Sequence, residues 1–262
     1  MGYIALGSGM NGKLVIGNWK MNGTLASNAP LLAALAAGWR SSPQTELVVC
    51  PPAAYLGQAR LALQASAVSW GAQDVSDQAA GAFTGELGAA MLRDMGCRYV
   101  LVGHSERRTR LGETDQMVAA KARAALSGGL RAVVCMGETE KQRAAGQALT
   151  VLRHQLQVVL AALPRTAIDH FVIAYEPLWA IGTGAHASAD IAQQVHSALR
   201  AALVEALGAA GTGVRILYGG SVKASNAAEY AAQRDVDGVL VGGASLQAAE
   251  FLEIGAAFLP IR

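Results

Sequence analysis

Phe171-Val172-Ile173-Ala174-Tyr175-Glu176-Pro177-Leu178-Trp179-Ala180-Ile181-Gly182-Thr183-Gly184 begins as a short apolar run rich in β-branched and aromatic residues. That is the pattern of a strand buried on both faces. Glu176 follows at once, so its carboxylate belongs at the strand's C-terminal end. Pro177 cannot continue the ladder and holds Glu176 away from the α region. Leu178, Trp179 and Ile181 then form an apolar middle, and Gly182-Thr183-Gly184 closes the segment. A proline-bounded start, an apolar middle and a glycine-rich end describe a lid with two hinges, able to exclude water from the carboxylate beside it.

Outward from this stretch, strand-like and helix-like patterns alternate eight times. The strand candidates are residues 13–17, 46–50, 69–73, 98–103, 131–136, 170–174, 214–218 and 238–241, mostly short and continuously apolar. Between them run helical stripes. Ile191, Val195, Leu199, Leu203 and Leu207 recur at every fourth residue, with Ser188 as N-cap. Leu149, Leu152, Leu156, Leu160 and Leu163 form a second stripe, stopped by Pro164. Eight β-then-α units in a 262-residue chain have the size and rhythm of a closed (β/α)8 barrel. The main competitor, an open doubly wound sheet, usually shows a Gly-rich phosphate loop after its first strand. Here Asn18-Trp19-Lys20 holds that place.

Composition narrows the class. The chain is 52% hydrophobic and 15% charged, enough apolar matter for a sizeable core. A net charge of +2 argues against general nucleic-acid or membrane-surface binding and leaves room for a local anion site. No apolar run reaches the length of a membrane span. Cys50, Cys97 and Cys135 form no CxxC pair and lie in or beside apolar runs, which predicts buried free thiols in a reducing, cytoplasmic setting. Met1–Gly9 lacks the basic start and apolar centre of a signal peptide. Gly7-Ser8-Gly9 before Met10 reads as an added leader, so residues 1–12 are expected to precede a single barrel domain over residues 13–262.

In a barrel the reactive groups lie where strands end. Strand one runs into Asn18-Trp19-Lys20, and in extended backbone Asn18 and Lys20 point to the same side, with Trp19 turned into protein. Lys20 is a fixed cation for an anionic substrate and its developing oxyanion. Strand four ends at His104, followed by Ser105-Glu106-Arg107-Arg108, the start of a short helix. The positive field of a helix N-terminus favours uncharged imidazole, which can polarise a carbonyl. Glu106 can pair with Lys20, Arg107 or Arg108. Gly219-Gly220-Ser221 and Gly242-Gly243-Ala244-Ser245 follow the last two strands, where backbone N–H groups can converge on phosphate. A carboxylate base, a neutral donor, a cation, a lid and a phosphate cradle suit proton transfer beside a carbonyl of a small phosphorylated substrate.

These residues resemble the triosephosphate isomerase family from about Lys13 onward. The resemblance is carried by Gly17–Gly23, Gly81-Ala82-Phe83-Thr84-Gly85-Glu86, Val102–Arg108, Ala174–Gly184, Tyr218-Gly219-Gly220-Ser221 and Val241-Gly242-Gly243-Ala244. It implies a TIM barrel that interconverts dihydroxyacetone phosphate and D-glyceraldehyde 3-phosphate through a cis-enediolate, without cofactor or metal. By resemblance Glu176 is the base, His104 the neutral electrophile, and Lys20 and Asn18 stabilise negative charge. Glu106 and Ser105 support them. Gly182, Ser221, Gly242 and Gly243 hold the phosphate, and Tyr218 with Ser221 latches the lid. Cys135 matches a buried structural cysteine. The resemblance also implies a homodimer built through loop 74–88, with Thr84 reaching the partner's site near Asn18 and His104. Family members often carry Asn where this chain has Asp74, which bears on hydrogen bonding near that interface.

Two rivals compete. A phosphate-binding aldolase of this architecture needs a lysine on a central strand for a Schiff base; the strands hold Arg98 and Arg131 only at their starts, and Lys20 lies past an end. An epimerase needs proton-transfer groups on both substrate faces. A catalytically idle barrel would be free to lose Asn18, Lys20, His104 and Glu176, yet all four are present.

Overall fold

A computed structural model describes residues 12–180 and 187–260. The expected leader up to residue 11, the lid positions Ile181, Gly182, Thr183 and Gly184, and the last two residues lie outside this set. Eight strands are observed: β1 (Lys13–Asn18), β2 (Thr45–Cys50), β3 (Ser69–Ala72), β4 (Tyr99–Val102), β5 (Arg131–Met136), β6 (Phe171–Tyr175), β7 (Arg215–Tyr218) and β8 (Gly238–Val241). They close in sequence order into one barrel. Every neighbour pairs in parallel, and β1 pairs with β2 on one side and β8 on the other. Parallel neighbours require a crossover, and the intervening helices supply it, covering the outside of the barrel. The expected strand positions agree with these bounds to within one or two residues. His170 is the clearest difference, since it ends the 3-10 turn Arg165–His170 rather than starting β6.

Alternation along each strand sends one residue inward and the next outward. The inward set includes Leu14, Ile16, Val48, Tyr99, Leu101, Val133, Val172 and Leu217, which fill the cylinder. The outward set joins the helices in a larger shell around Val15, Val49, Val100, Val134 and Ile173. All three cysteines are buried with free thiols, as expected. Burial pushes the Cys97 thiol up to about 12.

Ser188 caps Ala189–Leu207 as expected, its hydroxyl accepting from the Ile191 N–H at 3.3 Å. The stripe on Ala148–Ala162 differs from expectation. Leu152 and Leu156 are buried, but Leu149 is 45% exposed, and Gln155 and Val159 complete the inner face. The reason is geometric: at roughly 100° per residue, Leu149 stands about 70° from the centre of the face formed by Leu152, Gln155, Leu156 and Val159. It therefore sits at the edge of the buried face, in the first turn of the helix, where it meets solvent.

Candidate active site

The carboxyl ends of the strands converge on one cavity of about 350 Å3. Asn18, Lys20, His104, Glu176, Ser221, Gly242 and Gly243 all line it. The sequence-derived set is therefore assembled from β1, β4, β6, β7 and β8 at one end of the barrel.

Glu176 follows β6 directly and is 3% exposed. Its backbone N–H donates to the Met136 carbonyl at 2.8 Å, which fixes its exit from the sheet. One carboxylate oxygen accepts from the Ser105 N–H at 3.0 Å, and the other lies 3.2 Å from His104 Nε2. The space around it exists because two neighbours lack side chains. A Cβ on Gly137 would sit 1.8 Å from the Glu176 carbonyl oxygen, and one on Gly219 would sit 2.8 Å from Glu176 Cγ. Beneath it, burial first and the Glu176 charge second push the Cys135 thiol well above its ordinary value, so a neutral S–H faces the carboxylate.

His104 is the N-cap of the helix Ser105–Leu111. Its Nδ1 accepts from the Glu106 backbone N–H at 3.2 Å. A backbone N–H can only donate, so Nδ1 carries no proton. The imidazole is then uncharged, and its N–H is at Nε2, facing Glu176 and the cavity.

Lys20 resolves the alternatives for Glu106: its ammonium meets that carboxylate at 2.7 Å. Burial works against ionisation of Glu106, but the Lys20 hydrogen bond and charge outweigh it and hold the carboxyl below its usual value. The backbone at Lys20 departs from expectation. It is left-handed, with φ of 53°, rather than extended. A non-glycine residue there stores strain and needs surrounding contacts to hold it. Asn18 Oδ1 accepts from the Lys20 N–H at 2.9 Å, and Gln73 Nε2 donates at 2.8 Å to both the Lys20 and Cys50 carbonyls. Trp19 is fully buried, as expected.

Around the lid, Ser221 Oγ donates to the Ala180 carbonyl at 3.3 Å. Tyr218 accepts the Ala187 N–H at 3.0 Å, while Tyr230 donates to the Ala187 carbonyl at 2.6 Å. The two tyrosine rings stack with centroids 4.5 Å apart. Tyr218 thus reaches the segment from behind the sheet and is not among the cavity-lining residues. Glu138 was not singled out in the sequence. It is fully buried and accepts from Tyr175 and Trp179, each at 3.0 Å, with Arg143 at 3.2 Å. The sequence around it gives little sign of this, since Tyr175 and Trp179 lie 37 and 41 residues away.

Thr84 is exposed on loop 74–88 and does not line the cavity. At the root of that loop Asp74 meets Lys121 at 2.8 Å and Arg107 at 2.6 Å, so the carboxylate is satisfied within its own chain. Burial nonetheless raises the Asp74 carboxyl above its ordinary value, opposed by those two cations. Among the described residues, no helix is long and apolar enough to cross a membrane.

Comparison with known proteins adds to this geometry. The profile described as "Triosephosphate isomerase" matches residues 13–258. The triosephosphate isomerase of Bordetella pertussis is 58% identical over 245 residues, covering 94% of this chain and 97% of the relative. That of Cupriavidus necator is 54% identical over 246 residues, covering 94% and 99%. That of Coxiella burnetii is 53% identical over 243 residues, covering 92% and 95%. Identity at this level along the whole barrel, with the quoted motifs gathered at one end of it, leads to one conclusion: the chain belongs to the triosephosphate isomerase family.

Proposed function

We propose that the cavity at the carboxyl end of the barrel interconverts dihydroxyacetone phosphate and D-glyceraldehyde 3-phosphate by proton transfer between neighbouring carbons, with Glu176 as the base. The observation that carries this reading is the approach of Glu176 to His104 Nε2, 3.2 Å across one cavity, with both groups nearly buried. Glu176 removes a proton from the carbon beside the carbonyl. The C–H electrons form the C=C bond of a cis-enediolate, and the carbonyl electrons move onto oxygen. His104 Nε2–H and the Lys20 ammonium face that oxygen, and Asn18 fixes the Lys20 backbone. Glu176 then returns the proton to the neighbouring carbon. Because the imidazole is uncharged, it donates a hydrogen bond of similar acidity to the enediol rather than a fixed charge.

Ser221, Gly242 and Gly243 hold the substrate phosphate in this reading, together with Gly182 outside the described residues. Their support is their shared place in the lining of the cavity that Glu176 also borders. Ser105 and Glu106 act as positioning residues for Glu176 and Lys20. Tyr218 and Ser221 hold the two ends of the lid. The family reading extends to a homodimer through loop 74–88, supported by the exposure of Phe83 and Thr84, and its mass in solution tests it.

Glu176→Asp is the direct test. It withdraws the carboxylate by about one methylene, roughly 1 Å, and a displacement of that size costs on the order of 10²-fold in rate. We expect kcat in a coupled isomerisation assay to fall by at least that factor while the fold is retained. Near-normal turnover would remove Glu176 from the mechanism.

A further inference from the structure

The ladder between β4 and β5 stops short of the reacting groups, and a side chain continues it. Its last register pair is Val102 with Val134. The next carbonyls on the two strands are those of Gly103 and Cys135. In a parallel strand, successive carbonyls point to opposite neighbours. Met136 faces β6, where its carbonyl accepts the Glu176 N–H at 2.8 Å, so the Cys135 carbonyl faces β4. Gly103 turns away from the sheet at that level. Its φ of 67° is left-handed, and a Cβ there would stand 2.6 Å from a Val118 methyl.

Arg108 reaches both carbonyls from the helix Ser105–Leu111. Its Nε donates to Gly103 at 2.8 Å, and its Nη2 donates to Cys135 at 3.2 Å. Its Nη1 meets Asp115 at 2.6 Å, which balances the charge and fixes the plane of the fork. The Arg108 side chain is only 13% exposed. A guanidinium presents its donors in a rigid plane, a geometry that the point charge of a lysine on its flexible stem does not reproduce. Each bridged carbonyl leads directly to a reacting group. His104 is joined to Gly103 by the chain, and Met136, joined to Cys135, holds the Glu176 backbone.

We propose that Arg108 is a positioning residue for the isomerisation, the clasp that sets the separation of His104 from Glu176. This rests on the roles proposed above for those two groups. Arg108 is not among the cavity-lining residues, so it acts through the backbone of its neighbours. Without the fork the ends of β4 and β5 part, and a displacement near 1 Å at the reacting groups costs on the order of 10²-fold in rate. Ser221, Gly242 and Gly243 follow β7 and β8, to which Arg108 makes none of its three side-chain hydrogen bonds. The phosphate cradle therefore keeps its geometry.

Arg108→Lys keeps the charge and removes the fork. In the coupled assay its kcat is expected to fall by about tenfold or more, with KM nearly unchanged. Two inhibitors separate positioning from general damage. A phosphorylated hydroxamate, whose planar end meets Glu176 and His104 in the proposed reaction, should bind about tenfold more weakly. Inorganic phosphate, which needs only the cradle, should inhibit as it inhibits the parent. Circular dichroism and thermal unfolding monitor the fold. Where Arg108→Lys does not fold, Asp115→Asn decides the matter: it leaves the arginine and loosens its anchor, and should lower kcat and hydroxamate affinity by about threefold or more with phosphate unaffected. Parent-like kcat in the folded deciding variant, or equal weakening of hydroxamate and phosphate, overturns the proposal. An inactive parent, or near-normal turnover in Glu176→Asp, would instead refute the reaction itself.

Discussion

His196 offers a quantitative test of how this fold handles a buried base. Its ring is fully enclosed in the helix Ala189–Leu207, edge-on to Tyr175 at 6.0 Å between centroids. Nδ1 lies 3.1 Å from the Asp235 carbonyl, and Nε2 has no hydrogen-bond partner. Burial, helped by the Arg200 charge and opposed by the Asp235 carbonyl, lowers the pKa from 6.5 to about 4. Between those values the unfolded chain binds a proton that the folded chain refuses. Stability from this group is complete above the unfolded value and is lost as pH falls toward the folded one. The slope is ~1.4 kcal/mol per pH unit, so acidification to about pH 4.5 removes about 2.5 kcal/mol. Asp74 and Asp237 have raised carboxyl values and act in the opposite direction just above the ordinary carboxylate range. His196→Asn keeps a donor near the Asp235 carbonyl, has no titrating ring, and leaves those two carboxyls in place. Urea unfolding of parent and variant near neutral pH and near pH 4.5, at one protein concentration, isolates the His196 contribution. The parent should lose about 2.5 kcal/mol more than the variant over this interval. Equal losses would refute the assignment of His196 as a buried, neutral, proton-refusing group.

Two further outcomes follow from the site. Gly219→Ala places a methyl group 2.8 Å from Glu176 Cγ, so the carboxylate must move. A shift approaching 1 Å lowers kcat by about 10²-fold with little change in KM, read in the coupled assay; unchanged kcat would show that the slot is not tight. For the dimer, light scattering should give twice the chain mass. Phe83→Glu, on the exposed loop tip, should shift the protein toward monomer and lower its activity, whereas a fully active monomer would refute the role given to Thr84.

Much of the fold was legible because fully buried parallel strands leave continuous apolar runs, as in Tyr99–Val102 and Phe171–Tyr175. The placement of Asn18, His104 and Glu176 followed once strand ends were known, since a closed parallel barrel brings all carboxyl ends together. What escaped was anything decided by contacts distant in sequence. The left-handed turn at Lys20 depends on Gln73, 53 residues away, which read only as the end of a strand. Glu138 looked like an ordinary loop residue until Tyr175 and Trp179 closed over it. Leu149 lies at the edge of its stripe, a position that the spacing of the leucines alone does not tell from the centre. Arg98 and Arg131 each read as a polar strand start, and only closure of the ring brings both to one carboxylate, Glu46.

The apolar column inside the cylinder has one more implication. Leu14, Ile16, Val48, Leu101, Val133 and Leu217 exclude water between two chemically different ends. Such a plug keeps the two ends from sharing solvent or a chain of water molecules, so a solute or proton at one rim has no path to the other through the cylinder.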